Sequence, residues 1–275
     1  MAFTSAPTAP AGQENYLFKI TLEDVRNPQI TRTLSCPADA SFHEFHQAMI
    51  ISFGWAATHE YNFQIFDKGA RNGSEGFGPR PVAAISDWEP EDFPLIGITA
   101  PPKTTWQDAS KIKLHEYMAV PSYQDKHLQY EYDFEHGWEH AITFLGRVPS
   151  TGKFLCVDGE GHGAAEDAGG PFGWEELKEA YKTENPSQGQ KEKMWWYEGF
   201  CTNGYNTGLG ADRAWRWSQE RVNEQLARLP EMVWRHDRKL DVCESSTSLA
   251  LQNDPDEAKG VIKHASAIRA NPKGA

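Results

Sequence analysis

Hydrophobic and polar residues alternate with a period of two near the start of the chain. The run YLFKITL, residues 16–22, puts its aromatic and aliphatic side chains on one face, as a half-buried β-strand does. The run ITRTLSC, residues 30–36, has a similar pattern, and the dipeptide Asn27-Pro28 between the two runs is typical of a turn. The pattern therefore predicts two neighbouring strands joined by a short connection.

The hydrophobic period then changes to that of a helix. Ser41 and Glu44 have the spacing of a capping box, and Gly54 is a typical helix end. One apolar helical stripe lies between these signals: Phe42, Phe45, Met49, Ile50 and Phe53. After this predicted helix, the run YNFQIF, residues 61–66, predicts a third strand.

The later part of the chain has longer and less regular patterns. Residues 67–110 are rich in glycine, proline and acidic residues, which predicts a long excursion over the surface. Short helices are expected near residues 112–118 and from about Trp174. The strongest late helix is predicted from about 211 to 229, where Pro230 interrupts it.

Composition narrows the class of protein. With 275 residues, of which 39% are hydrophobic, the chain can bury a substantial core. No apolar run is long enough to span a bilayer, and a formal net charge of -12 disfavours non-specific binding to nucleic acids, so neither a membrane nor DNA is expected as a partner. The four cysteines form no CxxC pair, and the first residues lack a signal-peptide pattern. These observations favour a cytoplasmic protein with reduced thiols.

The densest group of titratable residues is YDFEHGWEH, residues 132–140. Two strand-like runs flank residues 135–137, and a three-residue loop that ends in glycine is a common hairpin connection. This register predicts that Asp133 lies opposite Glu139, with His140 on the other, aromatic face. Two facing carboxylates repel each other, so solvent, an arginine, a metal ion or a shared proton is expected to compensate them.

The same hairpin has an ordinary structural explanation. Two solvated acids on an exposed face would account for Asp133 and Glu139. A histidine on an apolar face, such as His140, is more often a satisfied core residue than a ligand. The spacing therefore predicts a candidate site and does not by itself predict an activity.

A glycine-rich segment, CVDGEGHGAAEDAGGPFGW at residues 156–174, adds further acids. Asp158, Glu166 and Asp167 lie among glycines, which allow the backbone to approach a partner closely. The segment contains no Walker loop and no dinucleotide fingerprint, and its acids lack a recognised ligand spacing, so no bound metal ion is expected in this loop. The alternative is a site for an oxygen-preferring metal, formed if the loop packs its acids against the hairpin.

Together, YDFEHGWEH and the glycine-rich segment resemble the plasmid pRiA-type third-open-reading-frame (ORF-three) family, whose usual pattern is YDFGDxWxH followed by CxDGxxxxPPEDxGGxxGY. The tripeptide FGW at residues 53–55 and His59 agree as well, and the resemblance covers roughly residues 16–182. It implies an α+β fold with a mainly antiparallel sheet. The chain departs from the pattern at residues 135–136, where Glu-His replaces Gly-Asp, and at residues 164–165, where Ala-Ala replaces Pro-Pro.

One branch of this family, the fungal arginine-containing cyclodipeptide synthases, has a C-terminal extension, and residues 194–244 resemble it. These enzymes of secondary metabolism join arginine from its aminoacyl-tRNA to a second amino acid and close the diketopiperazine ring. The branch is associated with an Asp-Asp-x-x-Glu motif, whose nearest match here is LDVCE at residues 240–244, with Asp241 and Glu244 but without the first acid. The resemblance therefore implies arginyl-tRNA and a second aminoacyl-tRNA as partners.

We therefore expect an α+β domain at residues 15–185, a helical extension at 186–244, a disordered leader at 1–14 and a flexible tail at 245–275. The candidate catalytic residues are Asp133, Glu139, His140, Asp241 and Glu244. The candidate substrate-binding residues are Trp138, Asp158, Glu166 and Asp167. Because two carboxylates can hold a guanidinium through paired hydrogen bonds, Asp133 and Glu139 are expected to recognise arginine, without a cofactor or a metal. The alternative function is a non-catalytic module that binds protein or nucleic acid through the same pocket.

Overall fold

The structure is a computed structural model that describes residues 14–68, 81–87, 104–123, 125–210 and 212–231. Within these residues eight strands form one sheet. The strands are β1 (Glu14–Leu22), β2 (Thr31–Pro37), β3 (Tyr61–Asp67), β4 (Ala83–Ser86), β5 (Thr105–Asp108), β6 (Lys126–Tyr132), β7 (Trp138–Pro149) and β8 (Leu155–Glu160). The α-helices are α1 (Phe42–Phe53), α2 (Leu114–Ala119), α3 (Gly170–Lys182), α4 (Gln188–Gly199) and α5 (Gln219–Ala227). The predicted α+β class is confirmed.

The strand order places the β6–β7 hairpin in the middle of the sheet. Across the sheet the order is β5-β4-β3-β6-β7-β1-β2-β8, and only β4 and β5 are parallel to each other. Tyr61 at the start of β3 pairs with Tyr132 at the end of β6. The turn before β3 and the hairpin loop therefore lie at the same end of the sheet.

Helix α1 has the ends that the sequence predicts. The Ser41 hydroxyl accepts a hydrogen bond from the backbone N–H of Glu44 at 3.1 Å, and the Glu44 carboxylate accepts one from the backbone N–H of Ser41 at 2.6 Å. Gly54 ends the helix in the left-handed conformation, with φ of 76°. Both signals act locally, which is why the sequence alone is sufficient to locate this helix.

Two predictions about the later chain are wrong. The stretch at 67–110 is not only a surface excursion, because its described residues include β5 and the fully buried β4. The helix predicted from about 211 to 229 is interrupted: a 3-10 turn at Arg213–Trp215 is followed by α5, which begins only at Gln219. The Ser218 side chain caps α5 by accepting from the N–H of Arg221, which starts a new helix in the middle of the predicted one.

The helical extension lies partly within the described residues. Helix α4, which the sequence analysis did not predict, packs against α3, and α5 packs against β8 and α1. The leader at 1–14, apart from Glu14 in β1, and the tail at 245–275 lie outside the described residues. In the described ranges no helix combines the length and the apolar composition that spanning a bilayer requires.

His140 is part of the core. Its imidazole has no exposed surface and makes edge-on contacts with the rings of Phe53 and Trp55. Its Nδ1 donates to the carbonyl oxygen of Trp138 at 3.0 Å, and its Nε2 is buried without a partner among the described residues. Burial lowers the pKa of His140 to about 3.

This burial predicts that the fold is sensitive to acid. An unfolded histidine has a pKa near 6.5, so the unfolded state binds a proton more tightly than the folded state does. The contribution of neutral, buried His140 to the free energy of unfolding is therefore complete above about pH 6.5. It is lost as the pH falls toward about 3. Between pH 6.5 and 4, unfolding of the unmutated chain is expected to take up about one proton more than unfolding of His140→Asn. The slope of the unfolding free energy against pH, measured by urea denaturation at a series of pH values, is therefore expected to be smaller in the variant. His127→Asn, at an exposed histidine, is the control, and an equal reduction in both variants would contradict this assignment.

Alanine substitutions at Gly163 and Gly189 are expected to change the free energy of unfolding in opposite directions. A Cβ atom on Gly163 would lie 1.7 Å from the carbonyl oxygen of Phe53, whereas a Cβ atom on Gly189 in α4 would meet nothing within 4 Å. Gly163→Ala is expected to lower the free energy of unfolding by more than about 2 kcal/mol, because backbone has to move. Gly189→Ala is expected to raise it by about 0.5 kcal/mol, because alanine has less freedom in the unfolded chain. If the two variants unfold at the same urea concentration, position 163 has room for a side chain and this prediction is wrong.

Candidate functional site

The hairpin loop is longer than predicted, and this changes which residues face each other. Tyr132 pairs with Trp138 and Glu131 pairs with Glu139, so the loop consists of the five residues 133–137. The prediction that Asp133 lies opposite Glu139 is therefore wrong. A facing pair of carboxylates does exist, but its second member is Glu131.

Asp133 closes the loop instead of extending β6. Its backbone is left-handed, with φ of 59°, and its carbonyl oxygen accepts from the N–H groups of His136 and Gly137 at 3.1 and 2.7 Å. Its carboxylate oxygen Oδ1 accepts from the N–H groups of Glu135 and His136 at 3.2 and 3.3 Å. An aspartate tolerates this conformation because its short side chain hydrogen-bonds to the backbone of its own turn.

Four residues from three segments form what we call the His–Asp cluster: His59, Asp133, His136 and Asp167. Asp133 Oδ2 lies 2.7 Å from His136 Nδ1 and 3.8 Å from His59 Nδ1. His59 Nε2 lies 3.0 Å from Asp167 Oδ1. The hydrogen bond between His59 and Asp167 raises the pKa of the histidine and lowers the pKa of the aspartate. The Asp133 side chain is buried, whereas half of the Asp167 side chain and about a quarter of the His59 side chain are exposed, so the cluster is open to solvent on one side.

Glu166 lies beneath this cluster and has no exposed surface. Its Oε1 accepts from the Tyr132 hydroxyl and its Oε2 from the N–H of Ala56 at 2.7 Å. The Glu166 backbone carbonyl accepts from the Trp138 indole at 2.9 Å. Burial raises the pKa of Glu166 to about 7. Both carboxyl oxygens have protein partners, so Glu166 holds the segments around it in position.

A second polar group, which we call the glutamate row, lies on the other face of the β6–β7 hairpin, since side chains alternate along a strand. Glu131 pairs across strands with Asn62 on one side and Glu139 on the other, and the Glu23 N–H donates to the Glu139 carbonyl at 2.8 Å. The row thus consists of Asn62, Glu131, Glu139 and Glu23. Burial, and next the charge of Glu139, raise the pKa of Glu131 to about 7.

Amide groups line the glutamate row on the β3 side. Gln64 Nε2 donates to Glu131 Oε2 at 2.9 Å, and the Asn62 side chain also hydrogen-bonds to this carboxylate. Asn62 is only 5% exposed, and its Oδ1 has no hydrogen-bond partner among the described residues. A buried acceptor without a donor is costly, so Asn62 Oδ1 offers an acceptor site to a water molecule or a ligand donor.

The remaining predicted site residues lie apart from both groups. Trp138 and His140 are fully buried in the core. Asp158 is exposed on β8, an edge strand that β1 and β2 separate from the hairpin. Asp241 and Glu244 lie outside the described residues. Of the predicted residues, the structure therefore brings together Asp133, Glu166 and Asp167 at one end of the sheet, and it places Glu139 in the glutamate row.

Five residues of these groups received no role from the sequence: His59, His136, Glu131, Asn62 and Glu23. His59 and His136 meet Asp133 only through the fold, although His59 stands in the motif that carries the family resemblance. Glu131 had a detectable signal, because alternation along QYEY puts it on the same face as Glu139 once the loop has five residues. The assumed three-residue loop hid this pairing.

The described fold and sequence have recognisable relatives. An uncharacterized protein named y4hQ from Sinorhizobium fredii is 28% identical over 164 residues, which are 59% of this chain and 70% of the relative. A crystal structure of a protein of unknown function, MM3350 from Methanosarcina mazei Go1, has a TM-score of 0.53 at 21% identity and covers 76% of this chain and 96% of its own. At 21% identity, the similarity to MM3350 shows a shared fold alone.

The family itself is established by a match to most of the chain. The sequence profile of the plasmid pRiA4b ORF-3-like proteins matches residues 14–207, which include every strand of the sheet and both polar groups. The chain therefore belongs to the plasmid pRiA4b ORF-3-like protein family.

Proposed function

We propose that this protein is an arginine-containing cyclodipeptide synthase and that the glutamate row recognises the guanidinium group of arginine. The observation that carries the proposal is the facing pair Glu131 and Glu139 beside the unpartnered oxygen of Asn62. The C-terminal extension, which resembles that of the fungal synthases, supports the choice of reaction.

The glutamate row has negative charge without a counter-ion. Among the described residues, neither Glu131 nor Glu139 forms an ion pair with a lysine or an arginine, and the neighbouring Glu23 adds a third acid. Carboxylates placed opposite each other on neighbouring strands destabilise a sheet. A cation between them would remove this repulsion.

A guanidinium group fits this arrangement better than an ammonium group. It is planar, remains charged at physiological pH and carries five N–H donors in a fixed fork. Two of its edges would donate to Glu131 and Glu139, and a further N–H would donate to Asn62 Oδ1. Gln64 already donates to Glu131 and would keep that carboxylate in position.

The reaction requires orientation and proton transfer, because an aminoacyl ester is already activated. The α-ammonium group of one aminoacyl-tRNA first loses a proton. The resulting amine attacks the ester carbonyl carbon of the other aminoacyl-tRNA, and the ester oxygen takes up a proton as the first tRNA leaves. The free amine of the dipeptidyl-tRNA then attacks the remaining ester, which closes the ring and releases the second tRNA. The two amide bonds thus replace two ester bonds, and no oxidant or nucleotide is consumed.

The tRNA contacts of the extension are a separate part of the proposal. Arg213 donates to the carbonyl oxygens of Thr207 and Gly208, and Arg216 pairs with Asp212 at 3.0 Å, so both side chains have structural partners. Arg228 at the end of α5 is exposed. Arg221, also in α5, is only partly exposed. We propose Arg228 for contact with tRNA phosphates because its side chain is exposed.

The test is the formation of an arginine-containing diketopiperazine by the purified chain from arginyl-tRNA and a mixture of other aminoacyl-tRNAs, detected by mass spectrometry. Glu139→Gln is expected to lower the rate at least tenfold, because a hydrogen bond to a charged group contributes about 1.5–3 kcal/mol. The melting temperature is expected to stay the same or rise, because the substitution removes repulsion with Glu131. Glu160→Gln, at an exposed acid on the edge strand β8, makes the same change in net charge and serves as the control.

The outcomes separate an enzyme from a binding module. Unchanged product with Glu139→Gln would show that the glutamate row does not recognise the substrate. If the unmutated chain forms no product from charged tRNA, the synthase proposal is wrong. Binding of arginine methyl ester, lost in Glu139→Gln and retained in Glu160→Gln, would then indicate a non-catalytic arginine-binding module.

A further inference from the structure

We infer that the His–Asp cluster is a binding site for a divalent transition-metal ion, with His59, Asp133 and Asp167 as its protein ligands. This inference goes beyond the proposed function and does not depend on it, because the glutamate row lies on the other face of the hairpin. The three ligands come from the turn before β3, the loop after β6 and the segment before α3. The fold alone therefore brings them together.

The ligand atoms lie close enough to converge on one ion after small side-chain movements. One nitrogen of His59 and one oxygen of each aspartate all lie within 4.8 Å of one another. Ligands about 2.1 Å from a common metal are about 3.0 Å apart at a right angle and about 4.2 Å apart when opposite. His59 Nε2 lies 3.0 Å from Asp167 Oδ1, a hydrogen bond that a metal ion would replace, and Asp133 Oδ2 lies 3.8 Å from the other ring nitrogen, Nδ1. Because Asp133 is held in place, the partly exposed side chains of His59 and Asp167 would have to move to bring all three ligand atoms onto one ion.

The charge of the cluster also favours a cation. In the described part of the chain, Asp133 and Asp167 form ion pairs only with histidines, so the two carboxylates have no lysine or arginine as counter-ion. The carboxylate of Asp133 is almost completely buried, and its partners are two backbone N–H groups and two histidines, without a lysine or arginine. A divalent ion would balance two carboxylates.

The surroundings hold the ligands in position. His136 Nδ1 donates to Asp133 Oδ2, and two backbone N–H groups donate to Asp133 Oδ1, so this carboxylate is oriented from behind. Such outer hydrogen bonds are typical of metal sites and tune their affinity. The N–H of His59 is hydrogen-bonded to the Tyr132 hydroxyl at 3.3 Å, which fixes the turn that carries this ligand.

The donor set indicates the class of ion. One imidazole with two carboxylates suits first-row divalent ions such as zinc, manganese or cobalt, whereas magnesium and calcium prefer oxygen ligands alone. Three protein ligands leave coordination positions for water or a substrate, and the exposed side of Asp167 gives access. The sequence predicts no metal in the glycine-rich loop because the acids of that loop lack a recognised ligand spacing, and the site inferred here takes only Asp167 from the loop.

Cobalt is the probe for the test, because protein-bound Co²⁺ absorbs visible light. The tag-free full chain, first dialysed against a chelator, is titrated with Co²⁺, and bound metal is counted by elemental analysis. We expect one equivalent to bind. Asp167→Asn and His59→Gln, both at partly exposed positions, are each expected to weaken binding at least tenfold. Zn²⁺ is expected to compete for the same site and to raise the melting temperature of the unmutated chain.

His43→Gln is the matched control. His43 Nδ1 lies 3.0 Å from Asp87 Oδ2, so this variant removes the histidine of another histidine–aspartate pair. Affinity for Co²⁺ is expected to be unchanged. The inference is overturned if the unmutated chain shows no saturable binding of one equivalent, or if Asp167→Asn and His59→Gln, with melting temperatures that confirm folding, bind Co²⁺ as tightly as the unmutated chain. The readout is metal binding, so its failure leaves the synthase proposal standing, and failure of that proposal leaves the metal site standing.

Discussion

The hydrogen bonds of Glu166 connect all the segments that form this end of the sheet. Its carboxyl group accepts from the Tyr132 hydroxyl and the Ala56 backbone, and its carbonyl accepts from the Trp138 indole. These partners belong to the end of β6, the turn after α1 and the start of β7. A buried carboxyl group requires such partners, because an unpaired one would be strongly destabilising. Glu166 thus holds three separate segments in place relative to its own segment, two through its carboxyl group and one through its backbone carbonyl.

The positions of the His–Asp cluster and the glutamate row follow from the hydrogen bonds of Glu166 and from the alternation of side chains along β6. Glu131, Tyr132 and Asp133 are consecutive, yet they lie in three environments: the outer face of the sheet, the core and the hairpin loop. Tyr132 connects to Glu166, which fixes the face that Glu131 must take. Asp133 then begins the loop and meets His59, whose segment is held to Tyr132 as well. The position of both groups is therefore determined by a single inward-facing tyrosine.

The parts of the fold that were predicted correctly rest on local signals. Helix α1 has a capping box at Ser41 and a left-handed glycine at its end, and both signals act within one helical turn. Strand β4 was missed because its four residues, AAIS, are buried without alternation and lie in a segment dominated by glycine and proline. The late helix was predicted as continuous because the apolar period continues across Ser218, although the capping bond of that serine starts α5 there.

The candidate site was less predictable, because its register depends on contacts that are distant in sequence. A three-residue and a five-residue loop both suit residues 133–137 locally. The five-residue loop is selected by the pairing of Tyr132 with Trp138, whose side chains both reach Glu166. Glu166 is 34 residues beyond Tyr132 in the chain. The pairing of Glu131 with Glu139 and the approach of His59 to Asp133 follow from that choice. Local alternation puts Glu131 and Glu139 on one face but does not decide that they pair.

The glycine-rich loop shows how this chain departs from the pattern that it resembles. Ala164 is fully buried with φ of 63°, a conformation that proline cannot adopt because its ring fixes φ near −65°. The Pro-Pro of the usual pattern therefore cannot have this local backbone. An alanine in the left-handed region is strained, and the strain persists only where surrounding contacts enforce it. Here the Ala164 carbonyl accepts from the side chains of Trp55 and Asn203. Asn203 belongs to the segment after α4, so in this chain the extension helps to shape the loop that places Glu166 and Asp167.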